Sequence, residues 1–142
     1  MRRSWWIEML AGLLIVLFVY ASVGKLVEFE TFQRMLRGAP MVGEKYVWVS
    51  VLLPAFELLI AVWLLVPRWR RLGFVASFWT MLFFTGYIGY LLLFRRSSMP
   101  CSCGGLLERL TWKQHLVFNI LFTLVAYIGM RMMRRSVGNL LQ

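Results

Sequence analysis

Aspartate is absent from this sequence, histidine occurs once, cysteine twice, and six glutamates face sixteen basic residues. Two cysteines cannot build the disulfide framework on which small secreted domains depend. They also stand one residue apart, in Pro100-Cys101-Ser102-Cys103-Gly104. A bridge between them closes a loop with one intervening residue, removes little entropy from the unfolded chain and makes a poor structural staple. Two thiolates leave a zinc site incomplete unless His115 or a partner contributes, so soft-metal capture ranks last and no metal is assigned. Low-complexity segments and internal repeats are lacking as well, which excludes solenoid and linker-like architectures.

What the chain has in excess is apolar surface. Over 142 residues, 61% hydrophobic and 16% aromatic content with a mean hydropathy of +0.71 exceed what a soluble domain of this size can bury. Four apolar runs, at about residues 5–23, 46–66, 72–94 and 115–130, approach or reach the roughly 18 to 20 residues that an α-helix needs to cross a bilayer. The expected fold is an all-α membrane protein, a single four-transmembrane-helix bundle over residues 1–142. The first run, which follows Arg2-Arg3 and ends in Ala21-Ser22-Val23-Gly24, has the outline of a signal peptide but is read here as a retained span.

The net charge of +10 is spread over the helix flanks instead of forming one patch. Anionic lipid headgroups are therefore the expected partner, and nucleic acid is not. Each side of a four-span topology carries eight basic residues, but those beside the termini crowd into shorter segments. This density places both termini in the cytoplasm and the cysteine loop outside, where disulfides persist.

Between the first two runs, Phe29, Phe32, Met35 and Leu36 fall on one helical face, as expected of a short surface helix in the first outer loop. Gly38-Ala39-Pro40 ends it. Pro67-Arg68-Trp69-Arg70-Arg71 is short enough to force an antiparallel hairpin. Leu106-Leu107-Glu108-Arg109-Leu110, after the cysteines, reads as another surface turn of helix.

The chemistry-bearing residues concentrate at the outer end. A strained Cys101–Cys103 disulfide would be easily reduced, the property wanted of a redox pair and not of a staple. Arg95, Arg96 and His115 flank it in sequence and would favour a thiolate or carry a proton, although arginines there also snorkel to phosphates. Glu57 lies near the middle of the second run, three residues after Pro54. A carboxyl at that depth is costly, favours its neutral form unless a cation or several donors reach it, and is a functional candidate by default. In the last run His115, Asn119, Thr123 and Tyr127 recur every four residues as a drifting polar stripe that must face protein and not lipid, and Thr80, Thr85, Tyr87 and Tyr90 of the third run supply further polar groups. Glu57, Thr85 and Thr123 are expected at similar depth, although bonds that merely fasten helices produce the same pattern.

Four spans, Gly24-Lys25-Leu26 closing the first, Pro54 and Glu57 in the second, Pro100-Cys101-Ser102-Cys103-Gly104 before the fourth and Asn119 within it resemble the MauE family, the methylamine-utilisation membrane proteins related to DoxX. The resemblance implies a bacterial inner-membrane bundle with its Cys-x-Cys in the periplasm. It also implies a role with thioredoxin-like partners in forming or maintaining disulfides of an exported protein. Gly104-Gly105 stands where an aromatic residue often follows the second cysteine of that pattern. The architecture is also similar to that of quinone-linked thiol oxidoreductases, which would make a quinone the electron carrier.

The leading expectation is a thiol-disulfide exchange protein in which Cys101 and Cys103 cycle, supported by Glu57, Asn119 and a Lys25 that snorkels at the outer end of the first span. The alternative is a non-catalytic subunit that anchors or assembles a larger membrane complex for transport or export.

Overall fold

A computed structural model describes residues 2–39, 42–94 and 112–138. Along the chain run α1 (Arg2–Val27), α2 (Phe29–Gly38), a single 3-10 turn (Gly43–Lys45), α3 (Tyr46–Leu65), α4 (Arg70–Phe94) and α5 (Trp112–Gly138). Strands are absent among the described residues. Four stretches, Trp5–Val27, Gly43–Leu65, Arg70–Phe94 and Lys113–Arg134, are long and apolar enough to cross a membrane, so this is a multi-pass membrane protein. Cys101, Cys103, Arg95, Arg96 and the expected surface turn at Leu106–Leu110 lie outside the described residues.

The long helices are apolar around most of their circumference, as bilayer-embedded helices must be. One side of each meets its neighbours through Leu14, Phe18, Ile60, Leu64, Phe74, Met81 and Ala126, while Val16, Trp48, Phe83 and Leu93 point outward. The most extensive interfaces join α1 to α3 and α4 to α5, and smaller ones, α3 with α4 and α1 with α5, close the ring. The α3–α4 turn is fastened by Arg70, whose Nε donates to the Leu64 carbonyl at 3.0 Å and whose Nη1 pairs with Glu8 of α1. An otherwise unmatched carbonyl at the end of α3 is thereby satisfied.

The short helix expected in the first connection is α2. Its exposed face carries Glu30, Arg34 and Arg37, and Phe32 is buried against the bundle. Gln33 Nε2 donates to Ser50 Oγ at 3.1 Å, and the Arg37 guanidinium both donates to the Tyr46 hydroxyl at 2.8 Å and lies 4.6 Å from its ring centroid. These contacts hold α2 against the start of α3. Because successive spans are antiparallel, Phe94 and Trp112, which bracket the cysteine-bearing segment, lie at this same α2 end.

The helices outrun their sequence boundaries. The first continues past residue 23 to Val27, which takes Lys25 into the helix, and the last begins at Trp112 and ends at Gly138, where residues 115–130 had been expected. A charged residue stops a hydropathy-based span but not a helix: the Lys25 charge has an internal partner, and Lys113, Arg131 and Arg134 are exposed near the ends of α5.

Two glycines set how closely helices approach. A Cβ added at Gly129 of α5 would overlap the Phe74 ring, and one at Gly73 would sit 2.8 Å from the Leu64 backbone nitrogen. Gly129→Leu is therefore expected to destabilise the bundle by about 1–3 kcal/mol through overpacking. Gly12→Ala, with nothing within 4 Å of the added Cβ, should be neutral or slightly stabilising. Thermal unfolding in detergent checks both, and equal melting of the Gly129→Leu and Gly12→Ala proteins would disprove the close approach.

Candidate functional site

Cβ atoms on a helix tilt toward its N-terminus, so long side chains lean back along their own chain. In the antiparallel α1–α3 pair that rule sends Lys25 and Glu57 toward each other from opposite directions. Lys25 reaches back over its preceding turn, where Nζ lies 3.4 Å from the Ala21 carbonyl. Nζ also donates to Glu57 Oε1 at 2.7 Å and Oε2 at 2.9 Å. The two meet at the level where Ser22 Oγ of α1 donates to the Pro54 carbonyl of α3 at 2.9 Å. Lys25 is 7% exposed and Glu57 1%.

This corrects the expectation that Lys25 snorkels to the headgroups: the side chain is turned into the protein. The physical reason is the carboxylate. An unpaired Glu57 would sit in a medium that cannot solvate it, and Lys25 is the cation within reach that cancels the cost. Three acceptors, two carboxylate oxygens and the Ala21 carbonyl, match the three protons of the ammonium. The Phe84 ring of α4 lies with its centroid 6.0 Å from Nζ, at the outer limit of a cation–π contact.

Around the pair, Pro54 is accommodated inside an unbroken α3. Its missing N–H deprives the Ser50 carbonyl of the usual helical donor. The buried Ser50 hydroxyl donates to the Val47 carbonyl at 2.7 Å and accepts from Gln33, which links α2 to the helix that carries Glu57.

A second polar group joins α4 to α5. Thr85 and Thr123 hydroxyls stand 3.2 Å apart, Thr123 donates to the Asn119 carbonyl at 2.7 Å, and Asn119 Nδ2 donates to the His115 carbonyl at 2.9 Å. The expected match in depth of Thr85 and Thr123 is thus a direct contact, and Phe84, the neighbour of Thr85, brings α4 to the ion pair. His115 and Asn119 are buried, whereas Tyr127 is 41% exposed. The stripe leaves the protein interior because a spacing of four residues advances beyond a full helical turn at every step. The expected gathering of Cys101, Cys103, Arg95 and Arg96 around His115 lies outside the described residues.

Among the buried donors, Lys25 is engaged by Glu57 and Ala21, Ser22 by Pro54, Ser50 by Val47 and the Asn119 amide by the His115 carbonyl. Among the described residues no group of three His, Cys, Asp or Glu side chains is placed to hold a metal ion.

Sequence reading identified Lys25 and Glu57 separately and missed that they pair. The signal was available in the leaning rule, which converts two residues expected at different depths into contact partners. Removing one partner of a buried pair is expected to cost about 3 kcal/mol or more, so Lys25→Met and Glu57→Leu should each destabilise strongly. The double variant should recover much of that loss, because neither buried charge remains. A double-mutant cycle on unfolding in detergent measures the coupling, and strictly additive losses would contradict the pairing.

The comparisons with known proteins give one match. No curated protein and no solved structure matches the chain significantly. A family model described as "Methylamine utilisation protein MauE" matches residues 3–132, which covers the first three described membrane-spanning stretches, most of the fourth and both partners of the ion pair. The chain therefore belongs to the MauE family of membrane proteins.

Proposed function

We propose that this protein is a bacterial inner-membrane thiol-disulfide exchange protein, with both termini in the cytoplasm and Cys101-Ser102-Cys103 in the periplasm. The observation that carries the reading is a convergence at one end of the bundle. The segment bearing the cysteines leaves α4 at Phe94 and enters α5 at Trp112, at the end that also holds α2 and the start of α3. The buried Lys25–Glu57 pair fixes α1 against α3 toward that end, and His115 and Asn119 line the first turns of α5. Membership of the MauE family supports a redox-related or accessory role.

The chemistry balances without an external reagent when a partner disulfide is included. The thiolate of one cysteine attacks a sulfur of that disulfide, an intermolecular bond forms, and the partner's other sulfur leaves as a thiolate and takes a proton. The second cysteine then attacks the mixed disulfide and closes the Cys101–Cys103 bridge. Two electrons pass to the partner, which is released as a dithiol, and the reverse sequence oxidises the partner instead. The strain of a bridge across one residue keeps the disulfide easy to reduce, which favours the direction in which the partner is oxidised. The partner is a periplasmic thioredoxin-like protein or an exported protein with reactive cysteines.

Single Cys101→Ser and Cys103→Ser variants, each left with one thiol, are expected to trap the partner in cells as an adduct that reductant releases. At normal protein level, the absence of a thiol-dependent adduct with both variants would overturn exchange. In intact cells a membrane-impermeant maleimide should label the reduced cysteines without permeabilisation; labelling that requires permeabilisation would reverse the proposed topology.

A further inference from the structure

The end of the bundle opposite α2 holds an uncompensated cluster of charge. Arg2, Arg3 and Arg135 belong to this end, and the basic side chains described there are those of Arg68, Arg70, Arg71, Arg131 and Arg134, beside the carboxylate of Glu8. Glu8 is already taken by Arg70, which is 12% exposed at its side chain and also bonded to the Leu64 carbonyl. Arg68, Arg71, Arg131 and Arg134 are exposed and form no ion pair among the described residues.

Register places three of them at the same end of α4 and α5. The Phe74 ring fills the space over Gly129, so the first turn of α4 runs beside the last turns of α5, and Arg71, Arg131 and Arg134 share one end of the α4–α5 seam. The side chain of Arg131 does not extend away from the membrane. Its guanidinium lies 5.8 Å from the centroid of Tyr127, one turn back toward the bilayer centre, and Tyr127 in turn packs 5.8 Å from Phe78 of α4 across the seam. A permanent cation is therefore held within cation–π range of a ring that is itself 41% exposed on the bundle surface.

We propose that this seam binds the phosphate of an anionic phospholipid, with Arg131 as the central contact and Arg71 and Arg134 beside it. The planar guanidinium presents paired N–H groups that match a phosphate, and a lipid brings that phosphate to the depth to which Arg131 leans. Exposed Leu72 and Ile128 next to the arginines offer apolar surface to the attached chains, which a free phosphate ion would not use. The site stands apart from the cysteine chemistry, at the other end of the bundle.

The test uses the full chain reconstituted in vesicles of phosphatidylcholine with a minority of phosphatidylglycerol, then analysed by native mass spectrometry for retained lipid. The wild type and Lys113→Gln, which removes an exposed charge at the α2 end, should retain phosphatidylglycerol in preference to phosphatidylcholine. Arg131→Gln should reduce that retention several-fold, and the triple variant Arg71→Gln, Arg131→Gln, Arg134→Gln should abolish the preference while keeping wild-type helicity. Arg131→Lys, which keeps the charge but loses the planar fork, should fall between wild type and Arg131→Gln. Added inorganic phosphate should leave the lipid in place. Equal retention by the wild type and Arg131→Gln would overturn the proposal, and so would displacement of the lipid by inorganic phosphate.

Discussion

The organisation of this protein rests on a lysine and a glutamate that cannot be left alone in a membrane. Glu57 is 1% exposed in the second transmembrane helix, and Lys25 meets both of its carboxylate oxygens from the first. The contact ties α1 to α3 at a single register, because a shift of either helix by one turn would leave two buried charges unmatched. Apolar helix faces in lipid lack the hydrophobic drive that orders a soluble core, so directional polar contacts carry more of the burden of specifying which helix pairs with which. Ser22 donating to the Pro54 carbonyl strengthens the same register one turn away.

The other half of the bundle reaches the same end differently. Between α4 and α5 the specification is steric as well as polar, with Phe74 set over Gly129 and Thr85 against Thr123. Both devices keep Lys25, Glu57, Ser22, Ser50 and Asn119 inside the protein, packed among Leu14, Phe18, Ile60 and Phe74, as a medium without hydrogen-bonding capacity requires. At the ends the solutions diverge. Gln33 and Arg37 fasten α2 over the start of α3, whereas Arg70 closes the opposite turn by spending its guanidinium on Glu8 and the Leu64 carbonyl. A MauE-family membrane protein is thus built as two helix pairs, with a helical cover at the end where its cysteine-bearing segment begins and finishes.

Much of this was legible in the chain. Apolar runs longer than a bilayer is thick give four spans, and the face formed by Phe29, Phe32, Met35 and Leu36 gives the surface helix, because both follow from periodicity and length alone. Glu57 stood out for the same reason, a carboxyl in an apolar run being costly wherever it points. Lys25 was misread because a lysine near a helix end ordinarily snorkels outward, and only a neighbour from another helix makes the inward rotamer favourable. Tyr127 was grouped with a stripe that it leaves, since identical spacing in sequence accumulates angular drift in space.

By itself, the sequence determined that the chain crosses a membrane, how often, and which few residues are too polar to be there without a reason, since each of these is a property of local composition against the solvent. Its two cysteines one residue apart likewise read as a poor structural staple, because so short a loop holds little entropy to remove. Which polar residue meets which was decided by tertiary structure. Pairing depends on the antiparallel packing of helices and on the direction in which each side chain leans, so residues 32 positions apart in sequence become a buried ion pair.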